Sequence, residues 1–220
     1  MWISFSQGYC PDTPPPAIFD NVSDRVDQLV ELDPTQIAVL LVDFQNDFCA
    51  APTGTVNNVI TARRANAFAA SASAGGMRVI YSQQIYDPGR LTPRQQRWNA
   101  DSPLCVAGTT GADLFVPPVA GARVARKDRY DIWSSAEFEA ILEGWSIDGL
   151  IIGGVELQCC VLYAVLGADE RGYHYAVPQD LVSGIDECDE TSNRAVRDYL
   201  SFAHPSLATA SELLELLKRR

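Results

Sequence analysis

Lysine is scarce in this chain. Its 220 residues contain two lysines, Lys127 and Lys218, against fifteen arginines, and two histidines, His174 and His204. Neither histidine lies near a cluster of cysteines or carboxylates in the sequence, which argues against a zinc site. The six cysteines (Cys10, Cys49, Cys105, Cys159, Cys160 and Cys188) include no C-x-x-C pair. Each therefore reads first as a small buried hydrophobe in a reducing cytoplasm, not as part of a disulfide framework. No apolar run approaches the roughly 18 residues of a bilayer span. The opening MWISFSQGYCPDTPPP lacks the basic and apolar regions of a secretory signal, so a cytoplasmic chain with no membrane partner is expected. Charge argues against nucleic acid as a partner. The net charge is −11, spread along the chain and not gathered in a tail, and it repels phosphate backbones. No G-x-G-x-x-G or G-x-x-x-x-G-K-[ST] motif follows a strand candidate, so a nucleotide-binding module would lack its usual handle.

What is present supports a core. The chain is 47% hydrophobic and 20% charged, enough for one well-packed domain and short for two. Residues 1–35 read as a proline-rich arm with a short amphipathic piece near 22–32, and residues 36–220 as the domain proper. IAVLLVD, ending at Asp43, is a continuous apolar run of strand length, the pattern of a strand buried on both faces. The alanine-rich stretch 57–74 has helical spacing and stops at Gly75 and Gly76. MRVIYSQ (77–83), ARVARK (122–127), IDGLIIGG (147–154) and YHYAVPQD (173–180) are further strands, and a short one is expected near 207–209. Helices are expected over 134–145, opened by a Ser134–Glu137 capping box, over 155–172, closed by Gly172, and over 189–202 and 211–219. Residues 87–118 form a long loop with a short helix, and loops of that length are usually functional. The alternation implies one doubly wound, Rossmann-like α/β domain, a mainly parallel sheet of about six strands flanked by helices. Ligands in such folds sit beyond the carboxyl ends of the strands.

Asp43, Lys127 and the segment 156–160 all fall at those ends. Taken singly, each has a bland reading: Asp43 a turn former or helix cap, Lys127 a solvated cation, Cys160 a packing residue on an apolar helix. Together they deliver to one sheet edge the three side-chain types that thiol-based acyl transfer needs. A thiolate is the nucleophile, and a helix N-terminus and a lysine ammonium both favour it. An aspartate can take the thiol proton and hand it to a leaving amine. Backbone N–H groups at the helix start can stabilise an oxyanion, each such donor being worth about 3 kcal/mol of barrier.

LLVDFQNDF, the lysine after the third strand, LIIGGVELQCCV and GADERGY resemble the isochorismatase-like superfamily of cysteine hydrolases, over roughly residues 37–200. The resemblance implies that Asp43 is the catalytic aspartate, Lys127 the catalytic lysine and Cys160, directly before Val161, the nucleophile. Cys159 sits about 100° away on a helix and is left as a packing residue. The resemblance also implies a cis peptide at Val155–Glu156, aiming the backbone N–H groups of Glu156 and Cys160 into an oxyanion hole. The nicotinamidase branch holds a metal with an aspartate and histidines near the second strand. The matching stretch here, SQQIYDPGR, has no histidine, so no metal and no cofactor is expected. Isochorismatases proper, which cleave a vinyl ether, usually lack the cysteine, so Cys160 favours amide hydrolysis.

Glu156 stands where the family often has a small or hydroxyl residue. It either points inward, disfavouring anionic substrates, or faces solvent or another subunit. Phe48, Gln84, Arg129, Trp133 and Tyr163 are candidates to line a substrate pocket; Arg129 also reads as a surface ion-pair partner and Trp133 as a core residue. Arg90, Arg94 and Arg97 form a basic cluster in the long loop, either a lid or a solvated face. The sequence thus predicts a cysteine amidohydrolase for a small linear amide, carbamoyl or ureido compound, acting through a thioester. Vinyl-ether hydrolysis or a non-catalytic Rossmann-like binding module are the alternatives. The resemblance implies a homodimer or homotetramer, with the aromatic arm (Trp2, Phe5, Tyr9) as an interface element.

Overall fold

The computed structural model describes residues 24–50, 52–99, 104–184, 190–203 and 209–218. In chain order the elements are helix α1 (Asp24–Glu31), strand β1 (Ile37–Val42), helices α2 (Asn46–Cys49) and α3 (Val56–Ala74), β2 (Arg78–Gln84), α4 (Pro93–Asn99), β3 (Arg123–Lys127), α5 (Ala136–Gly144), β4 (Gly149–Gly154), α6 (Leu162–Glu170), β5 (His174–Ala176), α7 (Glu190–Ala203) and α8 (Ala210–Lys218). Among the described residues the sheet has five strands, all parallel, in the order β3-β2-β1-β4-β5. The sequence predicted about six. Of the residues predicted as a sixth strand, 207 and 208 lie outside the described residues, and Thr209 is not in a strand. The fifth strand is also shorter than predicted, stopping at Ala176 two residues before Pro178, which has no N–H to donate to a ladder.

Every residue of β1 is buried, and its side chains divide between two cores as the two-residue strand period requires. Ala38, Leu40 and Val42 pack on one face with Phe138 and Leu142 of α5, Ala164, Val165 and Ala168 of α6, and Leu200 of α7. Ile37, Val39 and Leu41 pack on the other with Ala62, Ala65, Phe68, Ala69 and Ala72 of α3, Leu29 of α1 and Leu213 of α8. The absence of alternation in IAVLLV thus has its cause: helices cover both faces. The alanines of α3 let its backbone approach the sheet closely, and its N-cap is Thr55, whose side chain accepts the Asn58 N–H.

Two local expectations change. Helix α5 is capped by Ser135, whose Oγ accepts the Phe138 N–H at 3.3 Å, and not by a Ser134–Glu137 box. Glu137 instead accepts the backbone N–H of Arg126 at 3.0 Å, tying α5 to β3. The predicted helix from 155 begins as a π-helical turn, Leu157–Val161, before α6 proper. Such turns are often found at functional sites. The strand order reverses between β1 and β4: the chain runs outward through β2 and β3, then returns to lay β4 on the other side of β1. Beyond that switch point lie the loop after β1, with Asp43, and the loop after β4, with Glu156 to Cys160.

Candidate active site

Asp43 leaves β1 with φ 53°, a left-handed conformation uncommon outside glycine. Ser82 on β2 holds it from two directions. The Asp43 N–H donates to Ser82 Oγ at 3.1 Å, and the Ser82 hydroxyl donates to Asp43 Oδ1. Gln45 then stitches the strand ends together: its Nε2 donates to Gln84 O (2.9 Å) and Ala112 O (2.7 Å), and its Oε1 accepts the Gln84 N–H (2.7 Å). The glutamine of D-x-Q is therefore a clamp on the site's floor. Sequence reasoning assigned no role to Gln45 or Ser82. A hydroxyl inside the otherwise apolar VIYS run was the available signal for Ser82.

Lys127 is the last residue of β3, in register with Gln84, and is 4% exposed. Its Nζ lies 2.6 Å from Asp43 Oδ2, 2.8 Å from Gln84 Oε1, 3.0 Å from Arg129 O and 3.5 Å from Cys160 Sγ. Three protons face three oxygens, so the sulfur receives the charge more than a dedicated hydrogen bond. Burial alone would lower the lysine pKa, but Asp43 and Cys160 more than offset it and the net shift is upward. The ammonium is thus locked in its charged form.

Cys160 is buried in the π-helical turn, close enough to Asp43 for the carboxylate to bear on its thiol. Burial pushes its thiol well above the ordinary value and the Asp43 charge adds to this, while Lys127 pulls the other way. The sequence reading expected a depressed thiol pKa. The structure reverses that direction, because desolvation and a carboxylate neighbour outweigh one ammonium. Cys159, partly buried, packs against the α5–α6 core. The Val155–Glu156 peptide is cis. Around it, the Leu157 N–H donates to Ser183 O, and the N–H groups of Cys159 and Val161 both turn to Glu156 O.

Glu156 is buried, and its Oε1 accepts Asn58 Nδ2 at 2.9 Å under the start of α3. It also raises the Cys49 thiol, after burial has done so. The carboxylate is therefore held toward α3, and neither solvent nor subunit contact is needed to explain it. The five pocket candidates separate. Gln84 is 2% exposed and holds the Lys127 amine. Phe48 is half-buried against the α3 core. Trp133 is buried: its Nε1 donates to Ala164 O at 3.0 Å, its ring meets Phe138 edge-on, and Arg171 lies over it at 4.6 Å. That is a core role, which corrects its assignment to the pocket. Arg129 and Tyr163 line a cavity of about 450 Å³ with Tyr86, Arg94 and Tyr130, which sequence reasoning did not place there. Arg90 lines a neighbouring cavity of about 410 Å³ that reaches Lys127, and Arg97 is exposed.

Among the described residues no three of His, Cys, Asp and Glu converge to hold a metal. After β2, Gln83 Nε2 donates to Ala112 O and Gln84 Oε1 is taken by Lys127, so this stretch does not fit the metal of the nicotinamidase branch. No described helix is long and apolar enough to cross a membrane. Cys10, Cys188, His204 and the arm residues Trp2, Phe5 and Tyr9 lie outside the described residues.

A parallel sheet with a cysteine, a lysine and an aspartate converging at its switch point defines an α/β fold of the cysteine-hydrolase kind. The isochorismatase domain family matches residues 37–209, and the chain belongs to that family. It is 29% identical over 206 residues to a nicotinamidase from Escherichia coli (strain K12), covering 80% of this chain and 95% of that one. A cysteine hydrolase from Pseudomonas syringae pv. phaseolicola 1448A shares the fold with a TM-score of 0.76 at 17% identity, covering 86% of this chain and 95% of the other. An N-carbamoylsarcosine amidase from Thermoplasma acidophilum superposes with a TM-score of 0.68 at 21% identity, covering 80% and 96%.

Proposed function

We propose that this protein is a cysteine amidohydrolase that cleaves the C–N bond of a small linear amide, carbamoyl or ureido compound through a thioester. One observation carries the reading: Lys127 Nζ sits 2.6 Å from Asp43 Oδ2 and 3.5 Å from Cys160 Sγ, with all three residues buried. Family membership and the likeness to a nicotinamidase support a hydrolase for amides.

In the resting enzyme the proton stays on sulfur, because burial and Asp43 both favour the thiol. As Sγ attacks the substrate carbonyl carbon, Asp43 takes that proton and the C–S bond forms. Lys127 keeps Asp43 oriented and offsets the negative charge moving through the site. The backbone N–H groups of Glu156 and Cys160 are assigned to the oxyanion of the tetrahedral intermediate. Asp43 then returns its proton to the leaving nitrogen, the C–N bond breaks, and ammonia or an amine departs. Water, deprotonated by Asp43, attacks the thioester; the acid is released and the thiol restored. Ser82 and Gln84 are positioning residues, fixing Asp43 and Lys127 through the hydrogen bonds described above.

Ammonia release from a panel of small aliphatic amides and ureido acids, by wild type and Cys160→Ala, tests the reading. The expected result is turnover in the wild type that falls by about 10³-fold or more in the variant. Ammonia release that survives the substitution contradicts the thioester route, whereas no release from any amide by the wild type returns the general-acid, vinyl-ether chemistry to first place.

A further inference from the structure

The cavity walled by Tyr86, Arg94, Arg129, Tyr130 and Tyr163 shares Tyr86, Gln95 and Ser134 with the neighbouring cavity that reaches Lys127. The carbonyl of Arg129 is bound to Lys127 at 3.0 Å. Tyr163 follows Cys160 by three residues, about one helical turn. The Tyr86 and Tyr130 hydroxyls both lie close enough to Cys160 to be electrostatically coupled to it. Burial raises both phenols, Tyr130 to about 12, so they are neutral hydrogen-bond donors at any physiological pH. The Tyr130 and Tyr163 rings are tilted at 54° with centroids 6.3 Å apart, forming an apolar wall.

The charges of this cavity are unlike those of the chain as a whole. Two guanidiniums face it in a protein of net charge −11. Its lining carries one carboxylate, Asp131, whose Oδ1 accepts the Trp133 N–H at 2.9 Å. Arg129 Nε has Asp128 Oδ1 at 3.6 Å, but both side chains are 69% exposed there, so that pair is readily exchanged for a better acceptor. Glu156, the acid that would have repelled an anion from the reaction centre, is held by Asn58 toward α3.

Building on the amidohydrolase reading, we infer that the substrate carries a carboxylate on its acyl side, bound by Arg94 and Arg129, while its amide lies at Cys160. The chemical class is the monoamide of a short dicarboxylic acid. The reaction is complete as written: the monoamide anion and water give the dicarboxylate dianion and ammonium, with the acyl group passing through Sγ. Guanidinium–carboxylate pairing supplies orientation as well as attraction, and three aromatic walls fit a short methylene chain.

The test is a matched comparison of kcat/KM for succinamate and glutaramate against butyramide and valeramide, at low and high salt. The account predicts at least a tenfold preference for the charged amides, carried by KM and reduced by salt. That preference is expected to collapse in Arg94→Gln and Arg129→Gln. A second readout needs no variant: succinate is expected to inhibit the wild type competitively, and butyrate to do so far more weakly. Equal or better turnover of the neutral amides, with succinate no better an inhibitor than butyrate, overturns this inference and leaves the amidohydrolase reading intact. Absence of ammonia release from every small amide tried overturns both.

Discussion

The proton on Cys160 is the residue-level feature with the most consequences. A sulfur held as thiol by burial and by Asp43 is a poor target for alkylation near neutral pH. Iodoacetamide is therefore expected to label it slowly at pH 6, with a rate that keeps rising as the pH increases. Asp43→Asn separates reactivity from catalysis. Removing the charge that raises the thiol pKa, while keeping Lys127, is expected to speed alkylation of Cys160 while lowering turnover by about 10³-fold or more. Peptide mapping and ammonia release on the same samples check both halves. Lys127→Met acts in the opposite direction. It leaves a buried carboxylate unpaired, and about 3–5 kcal/mol of stability should be lost in a denaturant titration. That these three residues meet at one sheet edge was legible in the sequence, Asp43 and Lys127 from strand candidates that end there and Cys160 from its register in the family resemblance. Their protonation was not, since it depends on burial and on which neighbour is closest in space. The direction of Glu156 and the burial of Trp133 escaped for the same reason.

At the scale of elements, the site depends on β1 and β4 lying side by side in full register. Gly154, the last residue of β4, has φ +148°, and a Cβ placed there would come within 2.5 Å of Val42 Cβ and O. Gly154→Ala is therefore expected to cost about 3 kcal/mol, since β1 would have to move. The denaturation midpoint measures the cost; a loss under about 0.5 kcal/mol, the range of a neutral surface change, would mean the strands are not held as described. The strands themselves were legible because β1 and β4 are continuous apolar runs and β2 has an apolar stretch at its centre. β5 was overextended, because an apolar patch beside a proline looks the same on paper whether or not it finds a ladder. The π-helical turn at Leu157–Val161 had no signature, since the sequence reads as unbroken helix across it.

Across the whole molecule, buried thiols link stability to pH. Burial raises Cys49 from its ordinary 9.0 to about 12, and raises Cys105 and Cys160 well above the same value. Below pH 9 these groups are protonated in both the folded and unfolded chain. Above it the unfolded chain loses protons that the folded one retains, so stability falls as pH rises, by roughly 1.4 kcal/mol per pH unit for each thiol. Urea midpoints at pH 7.5, 9 and 10 are expected to be flat and then to drop, and a level profile through pH 10 would contradict the burial of these sulfurs. The central claim, that Cys160 carries the acyl group, is tested most directly by acid-quenching the enzyme during turnover of a slow amide and measuring its intact mass. The account predicts a mass increase equal to the acyl group less one hydrogen, mapped to the peptide containing Cys160 and released by hydroxylamine. Turnover with no such adduct, in an enzyme whose Cys160→Ala variant still hydrolyses the amide, would contradict it.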